Sequence, residues 1–533
     1  MFQVSCATED HRNSKSHSRI KTPHSNLLLL EQFEENQLYR DDGEAEATRS
    51  GPVATSGHTQ KTPRKPGWVD GVRVGRRKED GELILILMLA TTYSGLGFQA
   101  EGIQSLLLAP IYEGLSDEAM GLPSLLHSIV FIWIITSSCF IIGYGQDGIL
   151  NVLDFGAYGD GVVDDTQAFI NAWTKLCGTG QILKIPTGKT FVVKPFELVG
   201  PCKFGNIVIQ IDGNIVAPST IQGWENVCKL RCWLCFRNVN GLIIKGMGLI
   251  NGKGSIWWNQ KTQNINETDL SCGAPSAMHF HNCNDLQLYG FTSRDSPREH
   301  IFIHSSNRVH ISNIHLNAPE NSPNTDGIDI SLSSQVTIQD SFIKTGDDCI
   351  AIKGGSSFVN VTHVTCGPGH GFSVGSLGQD PTIADEVEQI YFQNCICEKT
   401  MNCARIKTWM GGSGYAREIF FRRMTLIESK NPILIDQHYS YSAKYPTKNG
   451  AVKVSAITFI DFSGSSLSEQ AITLNCSNLG CSNILIDHVI LKTATGKPLW
   501  SLCNKASGIA RFTEPHVPCL SSKQSPSPMI API

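Results

Sequence analysis

Four short clusters hold the side chains able to do chemistry. Asn324-Thr325-Asp326-Gly327 supplies Asp326, and Thr345-Gly346-Asp347-Asp348 supplies two adjacent acids. Gly369-His370-Gly371 supplies an imidazole, and Arg405-Ile406-Lys407 supplies two cations. Carboxylates crowded onto one surface repel one another, which raises at least one pKa and leaves a protonated acid beside ionised bases. That division of labour suits hydrolysis of a glycosidic bond, which needs an acid for the leaving oxygen and a carboxylate for a water. Arg405 and Lys407, two apart, point to the same side of a strand. Paired cations there suit a substrate that carries a carboxylate on each unit. Each cluster also has a plainer reading. Asp347-Asp348 could hold calcium, Asp329 reads as a turn residue, and Arg-x-Lys is a common exposed strand face. Adjacent acids on a regular strand face opposite ways, so a bulge or turn is required to bring Asp347 and Asp348 into one cleft.

What must position these clusters is a repeat. Asp326 and Asp347 are 21 residues apart, and His370 lies 23 beyond Asp347. From residue 240 onward a polar turn precedes an alternating apolar strand again and again, as in Asn284-Asp285-Leu286-Gln287-Leu288, Asn307-Arg308-Val309-His310-Ile311 and Ser334-Gln335-Val336-Thr337-Ile338. The leading apolar positions 286, 309, 336 and 359 are spaced by 23, 27 and 23 residues. Short strands at such intervals, with no helical pattern between them, indicate a β-solenoid. A β-sandwich would show hairpin signals at shorter, less self-similar intervals. Residues one repeat apart stack, so Asp326, Asp347 and His370 are expected to form a ladder on one face. The end coils need covers. Residues 164–177 form the convincing amphipathic helix, placed to cap the N-terminal end, and the segment near Cys503 and Cys519 is placed to close the other.

The 533 residues permit a large core, and a net charge near −4 without a basic stripe argues against nucleic acid as partner. All but two of the 18 cysteines lie after residue 145, the pattern of a disulfide-bonded, secreted body. Cys232 and Cys235 have a zinc-like CxxC spacing but no second ligand pair, so no metal is expected there. Residues 1–119 open with a polar stretch that reads as disordered and are expected to be an extension preceding the true start. Residues 120–145 contain the charge-poor apolar run Leu125–Ile142, followed by Gly143-Tyr144-Gly145-Gln146, as in a cleavable secretory signal. A retained membrane anchor is the alternative. Residues 146–533 would then be the working domain.

The four clusters, in this order, resemble the signature of the pectin-degrading polygalacturonases, glycoside hydrolase family 28. Val152-Leu153-Asp154-Phe155-Gly156-Ala157, Ile256-Trp257-Trp258 and Asp295-Ser296-Pro297 are similar to that family's plant branch. The resemblance spans about residues 150–520. It implies an all-β fold, a right-handed single-stranded parallel β-helix, and cleavage of α-1,4-galacturonosyl linkages with inversion and without a cofactor. By that likeness Asp347 is the general acid, Asp326 and Asp348 hold and deprotonate the water, and His370 tunes or reloads the acid. Arg405, Lys407 and Tyr439 would bind the galacturonate. Inversion calls for carboxyl groups roughly 6.5–9.5 Å apart. Cys349 and Cys366, 17 residues apart on neighbouring coils, are placed to pair and brace the site, and the disulfides Cys476–Cys481, Cys503–Cys519 and Cys177–Cys202 follow from the same likeness. Arg298-Glu299, ahead of His300, departs from it, where plant relatives more often carry uncharged residues.

A secreted, cell-wall monomer acting on pectin is therefore expected, with sequons at Asn266, Asn360 and Asn475. The alternatives are a rhamnogalacturonan or xylogalacturonan hydrolase on the same fold, a calcium-dependent pectate lyase, or a wall-binding protein without turnover. Arg405 and Lys407 together favour plain galacturonan, and no acid of the set is missing.

Overall fold

The computed structural model describes residues 148–258, 272–439, 450–493 and 496–521. The expected extension 1–119, the signal or anchor segment 120–145 and the Asn266 sequon lie outside the described residues. Among the described residues, no helix is long and apolar enough to cross a membrane.

The chain winds as a right-handed parallel β-helix. The repeat read from the sequence is the coil itself. Val309, Val336, Val359, Ile390, Ile419, Ile457 and Ile484 pair in register down successive coils. Each is at most 2 % exposed. Neighbouring parallel strands sit about 4.8 Å apart, so identical positions stack directly upon one another. Two positions further on, Phe392, Phe421 and Phe459 make an interior ladder with centroids 4.7 and 5.5 Å apart and rings nearly parallel. A fully buried side chain of this size contributes about 1.5–3 kcal/mol. The alternation that produced the sequence pattern thus becomes the core.

The helix (α1, Thr166–Thr179) covers the N-terminal coil with Ala168, Phe169, Ala172, Trp173 and Leu176, and Gly180 ends it in the left-handed region. The Trp173 indole donates to the Val199 carbonyl at 3.3 Å. Cys177–Cys202 fastens the end of α1 to the coil beneath. At the far end Val517 and Leu520 are buried, beside the Cys503–Cys519 bridge. All four expected disulfides are present. Cys232 and Cys235 bond to each other, and Cys228–Cys272 and Cys397–Cys403 complete the set. Cys283 and Cys395 remain as buried thiols.

One sheet carries the function-bearing clusters. Its eleven parallel strands follow coil order, from Phe196–Val199 to Trp500–Asn504.

Candidate active site

The ladder forms at the turn that enters this sheet. The His300 amide donates to the Asp326 carbonyl at 2.8 Å, Gly327 to the Asp348 carbonyl at 2.8 Å, and His370 to the Asp347 carbonyl at 2.7 Å. Glu299, Asp326, Asp347 and His370 therefore occupy successive coils. The Thr325 hydroxyl accepts from the Gly346 amide at 2.9 Å and shares a 2.7 Å hydrogen bond with Ser322, which fixes the turn carrying Asp326. The strand Asp348–Ile352 begins at the second acid of the pair, and its register shifts between Asp348 and Ile350. This is the irregularity that an adjacent acid pair demanded. Gly371 allows the close stacking. Its φ is +98°, and a Cβ there would lie 1.9 Å from the Asn402 carbonyl oxygen.

The side chains form one electrostatic unit. His370 Nδ1 lies 2.9 Å from Asp347 Oδ1, and the Asp348 amide donates to the same oxygen at 2.8 Å. Asp348 is fully buried. Its Oδ1 accepts from the Ser373 hydroxyl at 2.7 Å and its Oδ2 from Lys407 Nζ at 2.8 Å, with Arg405 Nη1 3.8 Å away. The Tyr439 ring lies 5.2 Å from both the Arg405 guanidinium and the Lys407 ammonium. All seven residues singled out in the sequence come together.

Crowding acts as expected, but on a different carboxylate. Burial raises the Asp326 pKa well above the ordinary value, and repulsion from Asp347, Asp329 and Asp348 adds to it. Burial also works to raise Asp347, but the hydrogen bond and charge of His370, then Lys407, outweigh it and hold Asp347 low. Burial works to lower His370, and Asp347 overcomes that to raise it. Between these two partners the proton is drawn towards His370.

One oxygen of Asp347, one of Asp348 and a nitrogen of His370 lie within 4.8 Å of one another, a spacing compatible with a cation. The donor chemistry fits a metal poorly, because Lys407 already neutralises Asp348.

Three features of this face go beyond what the sequence pattern indicates. Asp329 is a strand residue rather than a turn residue: 1 % exposed, it accepts from Lys353 Nζ at 2.8 Å. Burial raises it to about 6, against the pull of Lys353. Asp329 and Lys353 are 24 residues apart, one repeat, and that spacing was the available signal. Second, Glu299 is buried, accepts from the Ser276 hydroxyl at 2.9 Å and pairs with Arg298 at 3.1 Å. Third, His279 stacks on Phe302 at 4.7 Å and His281 on His304 at 5.1 Å, farther along the same face. Burial lowers His279 to about 3 and His304 to about 4, keeping both neutral. Of the two described sequons, Asn475 lies on this sheet and its amide donates to Asp436 at 3.3 Å.

A parallel β-helix with an acid ladder facing paired cations defines a hydrolase of acidic polysaccharides. The family model described as glycosyl hydrolases family 28 matches residues 177–511. A probable polygalacturonase of Arabidopsis thaliana is 43 % identical over 400 residues, covering 73 % of this chain and 84 % of the relative. Polygalacturonase-2 of Solanum lycopersicum is 36 % identical over 373 residues, covering 69 % and 80 %. The chain belongs to glycosyl hydrolase family 28. Among solved structures, the Aspergillus tubingensis endo-xylogalacturonan hydrolase aligns with a TM-score of 0.58 at 24 % identity, covering 71 % of this chain and 100 % of that one. The Thermotoga maritima exopolygalacturonase aligns at 0.55 and 19 %, covering 68 % and 90 %. These two likenesses establish the fold.

Proposed function

We propose that this protein hydrolyses the α-1,4-galacturonosyl linkages of pectin, with inversion and without a metal. The observation that carries the reading is the acid ladder set against the Arg405–Lys407–Tyr439 cluster. Asp347 donates the proton to the leaving oxygen, and His370 reloads it through the 2.9 Å contact. Asp326 and Asp348 hold the water. Asp326 takes its proton, because the most strongly raised carboxylate is the strongest base once ionised. Arg405 and Lys407 bind a galacturonate carboxylate beside the scissile bond, and Tyr439 packs against the ring. The protons of such a cluster belong to the group as a whole, so the apparent pKa values are shared. The relatives' names support galacturonan as the substrate. We place the enzyme outside the cell as a monomer, exported by the Leu125–Ile142 segment. A mature N-terminus near Gln146 is the expected result of sequencing the secreted protein.

Reducing ends should appear from polygalacturonate in the presence of a chelator. Activity abolished by chelation would defeat the metal-free mechanism, and the anomer first seen by proton NMR tests inversion. The pH profile of kcat/KM should be bell-shaped. Asp326 must be ionised, and its pKa is raised, so the rate falls with acidification already above the ordinary carboxylate value of about 3.9. His370 must be protonated, and its pKa is also raised, so the rate falls with alkalinity only beyond about 6.5. His370→Asn should bring the alkaline limb down. An unmoved limb would remove His370 from the proton path.

A further inference from the structure

The sheet register sets out the floor of the groove in rows. Continuing the pairing by one residue, one row runs His304, Ser331, Lys353 and Gly375, and Gly375, at the register shift that follows Val374, abuts Lys407, which pairs with Asp436. Its neighbour runs Phe302, Asp329, Ala351, Ser373 and Arg405. The middle positions, Ala351, Ser373 and Gly375, are all small. Gly375 has φ +111°, and a Cβ there would lie 2.1 Å from the Lys407 carbonyl oxygen, so no side chain can rise at that point. The floor is thus a trough between two raised sides. Arg405 and Lys407 form one side. Lys353 stands at the other, two strands away, a Cα separation of roughly 9–10 Å.

Lys353 and Lys407 are mounted alike. Lys407 Nζ leans on buried Asp348 at 2.8 Å, and Lys353 Nζ leans on buried Asp329 at 2.8 Å. The Lys353 side chain is the more accessible, 30 % exposed against 10 % for Lys407. Arg298, paired with Glu299, is a second cation near enough to act on Asp329. A carboxylate-bearing unit in the trough would therefore meet a cation on either flank of the acid ladder.

Resting on the galacturonan reading above, we propose that Lys353 is a specificity-determining residue. It binds the free carboxylate of the unit across the scissile bond from Arg405 and Lys407, so that the enzyme discriminates against a methyl ester at that unit. Asp329 accepts from Lys353 Nζ at 2.8 Å, a hydrogen bond that an amide oxygen at that position would keep, and does not itself contact the carboxylate.

The test uses oligogalacturonates with a methyl ester placed on that unit or absent from it, cut by the wild-type enzyme, Lys353→Met, Lys353→Arg and Asp329→Asn. A charge-assisted contact of this kind corresponds to about 10- to 100-fold in binding. The wild type should prefer the free acid by that factor. Lys353→Met should lose it, chiefly through KM, and cut both substrates at similar efficiency. Lys353→Arg should restore the preference. Asp329→Asn, which keeps the cation, should retain the preference even if its overall rate falls. Equal loss by Lys353→Met on both substrates, or loss of the preference in Asp329→Asn as well as Lys353→Met, would make the pair a structural brace and overturn the proposal. A wild type that is active but indifferent to the ester overturns this inference alone. A wild type inactive on polygalacturonate overturns the parent reading with it.

Discussion

Asp347→Asn is expected to lower kcat on polygalacturonate by about 10²- to 10⁴-fold, the range general acid catalysis supplies, with KM nearly unchanged. The substitution conserves shape, and the asparagine oxygen still accepts from His370 Nδ1 and from the Asp348 amide, the two donors that converge on Asp347 Oδ1. What it removes is the carboxylate that takes the proton from His370 and passes it to the leaving oxygen. His370 alone cannot replace it, because its Nδ1 is directed at position 347. The melting temperature should therefore stay close to the wild-type value while turnover collapses. Initial-rate kinetics beside a thermal melt separate the two effects. A kcat within about threefold of wild type would show that the leaving oxygen receives its proton from elsewhere, with the raised Asp326 the first residue to examine.

The coil and the ladder were both readable in the chain because each rests on periodicity. Val309, Val336 and Val359 announce the stacked interior by spacing alone, and Asp326, Asp347 and His370 obey the same spacing at the turn. The need for a bulge at Asp347-Asp348 follows from strand geometry alone. Pairing across the floor was harder to read. Lys407 reaches back over two coils to Asp348, 59 residues away, and coils of unequal length hide such a contact from any fixed repeat. Asp329 looked like a turn residue because it follows Asn324-Thr325-Asp326-Gly327. Its alternation with buried Ile328 and Ile330 is what places it on a strand. The location of the proton was also out of reach. Like-charge crowding predicts that one carboxylate rises, but only the direction of His370 decides that it is Asp326 and not Asp347. Cysteine pairings such as Cys228–Cys272 depend on where loops return, which composition does not encode.

The second large effect joins chemistry to stability. Asp348 is the buried anion on which both cations of the Arg405–Lys407 pair rest, and the Lys407 and Arg405 side chains are only 10 % and 11 % exposed. Burial works against the Lys407 charge, yet Asp348 outweighs it and leaves the lysine pKa above its ordinary value. Asp348→Asn keeps the hydrogen bond from Ser373 but strands two buried cations. Removing one partner of such a pair costs about 3–5 kcal/mol, a large share of the roughly 5–15 kcal/mol that holds a domain folded. Activity should fall at the same time by at least about 10²-fold, since the water loses one of its two carboxylates. A second substitution distinguishes the causes. In Asp348→Asn/Lys407→Met the uncompensated ammonium is gone, so most of the lost stability should return while turnover stays low, because neither the water nor the galacturonate carboxylate recovers its partner. Denaturant melts of the two single variants and the double variant close the cycle. If the double variant is no more stable than Asp348→Asn alone, the 2.8 Å contact between Lys407 and Asp348 is not what stabilises this part of the floor, and the cations must be held by the packing of Tyr439 instead.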